Sequence, residues 1–162
     1  MRTFLPGVPR ALGLLSRSRP GRGILAMGTL MLALAPISSP VRAQTTFVAT
    51  LTGAQATPPD ASTGIGFGIF TLNAAQTDIS WQVIYTGLTG PAIASHLHVG
   101  PAGVAGPVIV PFVTTSSPIV GSGAFPAAHL ADLFAGNVYV NIHTAVYPGG
   151  EIRGQLILQH QV

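Results

Sequence analysis

Cysteine is absent from the chain, so no disulfide, thiolate metal site or cysteine-borne lipid is available to it. Lysine is missing too, and charged residues make up only 7% of the 162 positions. The few charges are sorted along the sequence. Arg2, Arg10, Arg17, Arg19, Arg22 and Arg42 precede position 44, Asp60, Asp78, Asp132 and Glu151 follow it, and Arg153 is the one arginine of the later part. A phosphate-binding face needs several Lys or Arg, so nucleic acid is excluded as a partner of that later part. Missing as well are a Gly-x-Ser-x-Gly elbow, a Walker loop, a dinucleotide fingerprint and paired carboxylates at one site, which leaves no nominated nucleophile.

The early segment holds the parts of a secretory leader in order. An Arg-rich start is followed by the apolar run from Ile24 to Ile37 and a small-residue site, Val41-Arg-Ala43, before Gln44. The run is shorter than the roughly 20 residues a membrane span requires. Residues 1–43 are therefore expected to be a cleaved signal peptide rather than an anchor. Arg17 and Arg19 are separated by Ser18, so no consecutive arginine pair suggests twin-arginine export. The remainder, 44–162, is expected to be one domain, secreted or held in the periplasm or cell envelope, with no membrane span after cleavage.

From Gln44 onward, Gly, Pro, Thr and Ser punctuate short runs rich in Val, Ile, Phe, Tyr and Thr, which is strand composition. Strands are predicted over 45–52, 64–73, 78–86, 92–99, 107–112, 119–125, 137–144 and 151–158. Alternation supports them: Ile79, Trp81, Val83 and Tyr85 share one face, and Val138, Val140 and Ile142 oppose Tyr139, Asn141 and His143. Residues 126–136 break the pattern. Pro126 at a first-turn position, Leu130, Leu133 and Phe134 at helical spacing and a closing Gly136 predict one short helix. The fold class is all-β, an antiparallel β-sandwich or Greek-key barrel of about eight strands with that helix plugging an end.

His96 and His98 are two residues apart, so on a strand both imidazoles project from one face. Such a pair can grip a metal ion such as copper or zinc, and His143 is the best candidate for a third ligand. The alternative is structural: each ring donates an N–H to a loop carbonyl and holds the Gly-Pro loop 100–107. His129 and His160 read as solvent residues. Residues 137–158 form a hairpin closed by Tyr147-Pro-Gly-Gly150, and Glu151 and Arg153 project from one face of its second strand. An ion pair or a shared hydrogen-bond network is expected of them. With Asn141 from the first strand they read as a structural clamp, because an isolated buried charge is costly. The competing reading has Glu151 and Arg153 serve catalysis beside a metal on His143.

Taken in order, Leu51-Thr-Gly-Ala-Gln-Ala-Thr-Pro-Pro59, Gly87-Leu88, Ala94-Ser-His-Leu-His-Val-Gly-Pro101, Gly106-Pro-Val-Ile109, Tyr139-Val-Asn-Ile-His-Thr144 and Pro148-Gly-Gly-Glu-Ile-Arg-Gly-Gln-Leu156 resemble the chordin-type (CHRD) domain. The resemblance spans nearly all of 44–162. It implies a secreted or cell-envelope β domain and no established activity. One position departs from the family pattern, since Ala56 stands where the family often has Glu. A more distant similarity, through His96 and His98, is to copper/zinc superoxide dismutases, which makes a superoxide dismutase-like reaction the least favoured alternative. The expectation is a non-enzymatic binding or structural module whose partner is a protein, a glycan or a metal. The alternative is a periplasmic metal-binding protein using His96, His98 and His143.

Overall fold

The computed structural model describes residues 43–159. The expected leader falls outside them except for Ala43, as does His160. Nine strands run in the order β1 (Thr45–Thr52), β2 (Ile65–Leu72), β3 (Asp78–Thr86), β4 (Ala92–Val99), β5 (Val108–Pro111), β6 (Ile119–Ala124), β7 (Val138–Thr144), β8 (Ile152–Gln155) and β9 (Ile157–Leu158). A helical turn at Ala127–His129 leads into α1 (Leu130–Phe134). The predicted strands and the predicted helix are thus all present, with edges moved by a residue or two.

All strand pairings are antiparallel, and they make one continuous sheet in the order β5-β4-β7-β8-β1-β2-β3-β6. The sheet curls until its two edges meet, with Val110 of β5 standing against Gly123 of β6. The result is a near-barrel. Its interior is the apolar face of each strand, including Phe47, Phe70, Leu97, Ile119, Val140 and Ile152, all fully buried. Each side chain of this size contributes about 1.5–3 kcal/mol on leaving water, and the core they make together serves in place of the missing disulfides. Trp81 and Phe112 stack at 4.1 Å between ring centroids where the edges close.

The last predicted strand is two strands. Leu156 interrupts the ladder, its N–H going to the Val138 carbonyl while its side chain stays in the core. β8 bridges β7 and β1, whereas β9 pairs with β1 alone. Close approach at this seam depends on Gly154, where an added Cβ would lie 2.5 Å from the Thr50 carbonyl oxygen.

Most strands bury one face and expose the other, as β3 does along its length. β7 is buried at every residue. Its apolar face looks into the barrel, and its polar face, bearing Tyr139, Asn141 and His143, lies beneath the loop 100–107, whose Gly106 N–H Tyr139 accepts, and the turn 145–150, whose carbonyls Asn141 and His143 meet. That covered outer face, shared with β4 and β8, is where the polar side chains of the domain gather.

Candidate metal centre

Register brings the histidines together. β4 and β7 pair Ala94 with His143, His96 with Asn141 and His98 with Tyr139. His96 and His98 therefore rise from the outer face of β4 beside His143 on the outer face of β7, while Leu97 points into the core. Ring centroids stand 5.5 Å apart for His96 and His98, 5.1 Å for His96 and His143 and 5.9 Å for His98 and His143. One ring nitrogen from each of the three lies within 4.8 Å of the others. His98 and His143 are buried, and His96 is partly open to solvent.

The loops decide which nitrogens face the cluster. His98 Nδ1 is 2.9 Å from the Gly106 carbonyl and His143 Nδ1 is 2.9 Å from the Pro148 carbonyl. A carbonyl only accepts, so each Nδ1 carries the proton and each Nε2 keeps a bare lone pair. His98 Nε2 is buried with no hydrogen-bond partner. His143 Nε2 faces His96 Nδ1 at 3.3 Å, long for a hydrogen bond. Two nitrogens each roughly 2.0–2.1 Å from a tetrahedral ion also stand about 3.3 Å apart. Ligands at such bond lengths cannot be separated by more than about 4.2 Å, so the nitrogens stand a little wider than a bound ion would hold them. The expected loop tie is made by His98 alone, at Gly106; His143 ties the turn at Pro148, and His96 meets His143 instead of a loop carbonyl.

Electrostatics keep the rings neutral. Burial, followed by the charges of His143 and His98, lowers the pKa of His96 to about 4. Burial also lowers His98, the Gly106 bond opposing it and the charges of His143 and Arg153 adding to it. For His143 burial outweighs the bond to Pro148, and the shift is again downward. Neutral imidazole is the metal-ligating form.

Glu151 and Arg153 are both buried, at 0% and 2% exposure, but among the described residues they form no ion pair. The expected pairing gives way to two separate sets of neutral partners. Glu151 accepts from Ser62 Oγ at 2.6 Å, the Thr89 N–H and Oγ1 at 2.8 Å each, and Thr144 Oγ1 at 2.6 Å. Burial would raise its pKa, yet these donors outweigh burial and hold it below the usual carboxylate value. Arg153 donates from Nη1 to Thr57 Oγ1 and the Val104 carbonyl, from Nη2 to the Pro101 carbonyl and Gln155 Oε1, and from Nε to Gln155 Oε1. All five of its N–H groups are used.

Asn141 contacts neither charge by hydrogen bond. Its Nδ2 donates to the Gly149 carbonyl at 3.1 Å, and its Oδ1 is buried without a partner. Its amide lies against the Cα of Gly150, whose φ of 121° and lack of a Cβ the turn requires. His129 sits apart from the cluster, 3.1 Å from Asp132 on the helix.

Tyr139 is the residue that sequence reasoning left unassigned. Its ring stacks on His98 at 4.9 Å and 9°, and the Arg153 guanidinium lies 3.5 Å above it. Its hydroxyl accepts from the Gly106 N–H at 3.0 Å, the same residue whose carbonyl holds His98. Alternation had already put Tyr139 on the face of Asn141 and His143, and that was the available signal.

A family model, the CHRD domain, matches residues 47–156, from β1 to the Leu156 break and across the whole polar face. No curated protein and no solved structure matches the chain.

Proposed function

Because the chain belongs to the CHRD domain family, we propose that it is an exported module of the cell envelope or extracellular space that works by holding a transition-metal ion on His96, His98 and His143. CHRD domains are typically found in secreted or extracellular proteins, and the leader-like residues 1–43 agree with export. The observation that carries the metal reading is the buried, unpartnered Nε2 of His98 beside the His143 Nε2 and His96 Nδ1 pair, with the His98 and His143 rings locked by backbone carbonyls. Carbonyl bonds of this kind orient metal-bound histidines and raise their basicity. A purely structural ring does not require a second nitrogen buried without a partner, which is unfavourable by itself. Imidazole suits copper and zinc, with copper(II) the tighter of the two.

In the same reading Glu151, Arg153 and Asn141 form the scaffold rather than an acid–base pair. Glu151 fastens the segments bearing Ser62 and Thr89, Arg153 those bearing Thr57, Pro101 and Val104, and Asn141 the turn at Gly149.

Calorimetric titration of the untagged protein with Cu(II) or Zn(II), with elemental analysis after dialysis, tests the metal reading. The expected result is one ion per chain. His96→Ala and His143→Ala each lower the affinity by more than the roughly 10–100-fold that loss of an outer hydrogen-bond partner costs. Background metal content, or variants that bind as wild type does, would end the proposal.

A further inference from the structure

Three histidines fill three of the four positions around a tetrahedral ion, the pattern of sites that keep one position for an exogenous ligand. Among the described residues no Asp, Glu or Cys joins His96, His98 and His143 in the cluster. Three neutral imidazoles cancel none of a divalent ion's charge. At His98 the fixed positive charge of Arg153 is felt as well. Glu151, the buried carboxylate on the same hairpin, has both oxygens engaged by hydroxyl and backbone donors. Arg153 is held 3.5 Å over the Tyr139 ring, which stacks in turn on His98. A metal ion here would therefore keep its full charge in partly desolvated surroundings with a fixed cation nearby and no carboxylate to offset it, and His96, the partly exposed ring, marks the solvent side.

Resting on the metal reading above, we infer that the loaded centre takes a small monovalent anion as its fourth ligand, in preference to a neutral molecule of similar size. Low local dielectric strengthens the attraction between ion and anion. The uncompensated charge supplies the preference, and the exposure of His96 supplies the route.

The probe is sodium azide, added to the full untagged chain carrying one equivalent of Cu(II). Binding is read from an azide-to-copper charge-transfer band and from the electron paramagnetic resonance spectrum, with copper content measured afterwards. A saturable band of one azide per copper, with the copper retained, is the expected result. Acetonitrile, neutral and comparably small, is expected to bind at least tenfold more weakly. Stoichiometric copper with spectra unmoved by azide would overturn the inference while leaving the metal reading intact, and so would equal affinity for acetonitrile or copper stripped into solution by azide. Failure to retain copper before azide is added would instead overturn the metal reading, and this inference with it.

Discussion

Two buried polar groups draw on the β7–β8 hairpin, the histidine group adding two rings from β4, and they differ in how much of their hydrogen-bonding capacity is used. Around Glu151 and Arg153 every side-chain donor of the arginine and both carboxylate oxygens have partners. Around the histidines, each buried ring spends Nδ1 on a loop carbonyl, His143 Nε2 meets only another histidine at 3.3 Å, and His98 Nε2 and Asn141 Oδ1 have no partner. Saturated polar clusters hold a fold together, whereas an unsaturated one keeps its capacity for something not in the chain. The proposed division of labour, scaffold on one side and ligand on the other, rests on that contrast.

The most forceful way to break the comparison is to remove the arginine. Arg153→Ala strips partners from Thr57, Gln155 and the carbonyls of Pro101 and Val104, and is expected to cost about 3 kcal/mol or more in urea unfolding of the metal-free protein. Arg153→Lys should recover little of this, since a single ammonium cannot replace a planar fork spread over four acceptors. His98→Ala, by contrast, should abolish stoichiometric copper while changing metal-free stability by about 1.5 kcal/mol or less. If the two substitutions unfolded the protein equally, the contrast between scaffold and ligand would collapse.

A smaller effect is expected at the contact between the two groups. Tyr139→Phe keeps the ring between Arg153 and His98 but removes the acceptor of the Gly106 N–H. The Gly106 carbonyl that orients His98 then loses its anchor. Copper affinity should fall about tenfold, with a loss of about 1 kcal/mol in stability. A variant with wild-type affinity would show that the stacked ring alone fixes His98 and that the hydroxyl is incidental.

How much of this was legible in the sequence follows from what alternation can carry. A period of two tells which side chains share a face, so the strands, the core and the common face of His96 and His98 could be read directly. It does not tell which strands are neighbours. That His143 stands beside the pair depends on the register Ala94 to His143, which no local pattern encodes. The separation of Glu151 from Arg153 was hidden for a similar reason. Their partners come from loops far away in sequence, Ser62 at 89 residues and Thr57 at 96, and two opposite charges spaced by one residue suggested a pair where the loops had supplied neutral partners instead. The break at Leu156 was also out of reach, because the alternation of Ile152, Leu156 and Leu158 with Arg153 and Gln155 runs through it unbroken.

The smallest effect, and the one that separates the two groups without disturbing the fold, is the pH dependence of metal-free stability. His96 is held to about 4 when folded against an ordinary 6.5, and His98 and His143 shift the same way. As pH falls from 6.5, the unfolded chain takes up protons that the folded chain refuses, so stability should decline through that window and level off once His96 titrates near 4. Glu151 acts lower down. Its folded pKa lies below its ordinary 4.5, so its contribution is complete above that value and disappears as the folded carboxylate is finally protonated. Denaturant midpoints measured from pH 7.5 downward should therefore show two limbs. His96→Ala should flatten the upper limb and leave the lower, while Glu151→Gln should do the reverse. Copper should steepen the upper limb, because the ion competes with protons for the same ring nitrogens and stabilises the fold only while it is bound. A profile with one limb, or one in which either substitution altered both, would mean that the two clusters titrate as a single network and that their separation on the hairpin is geometric only.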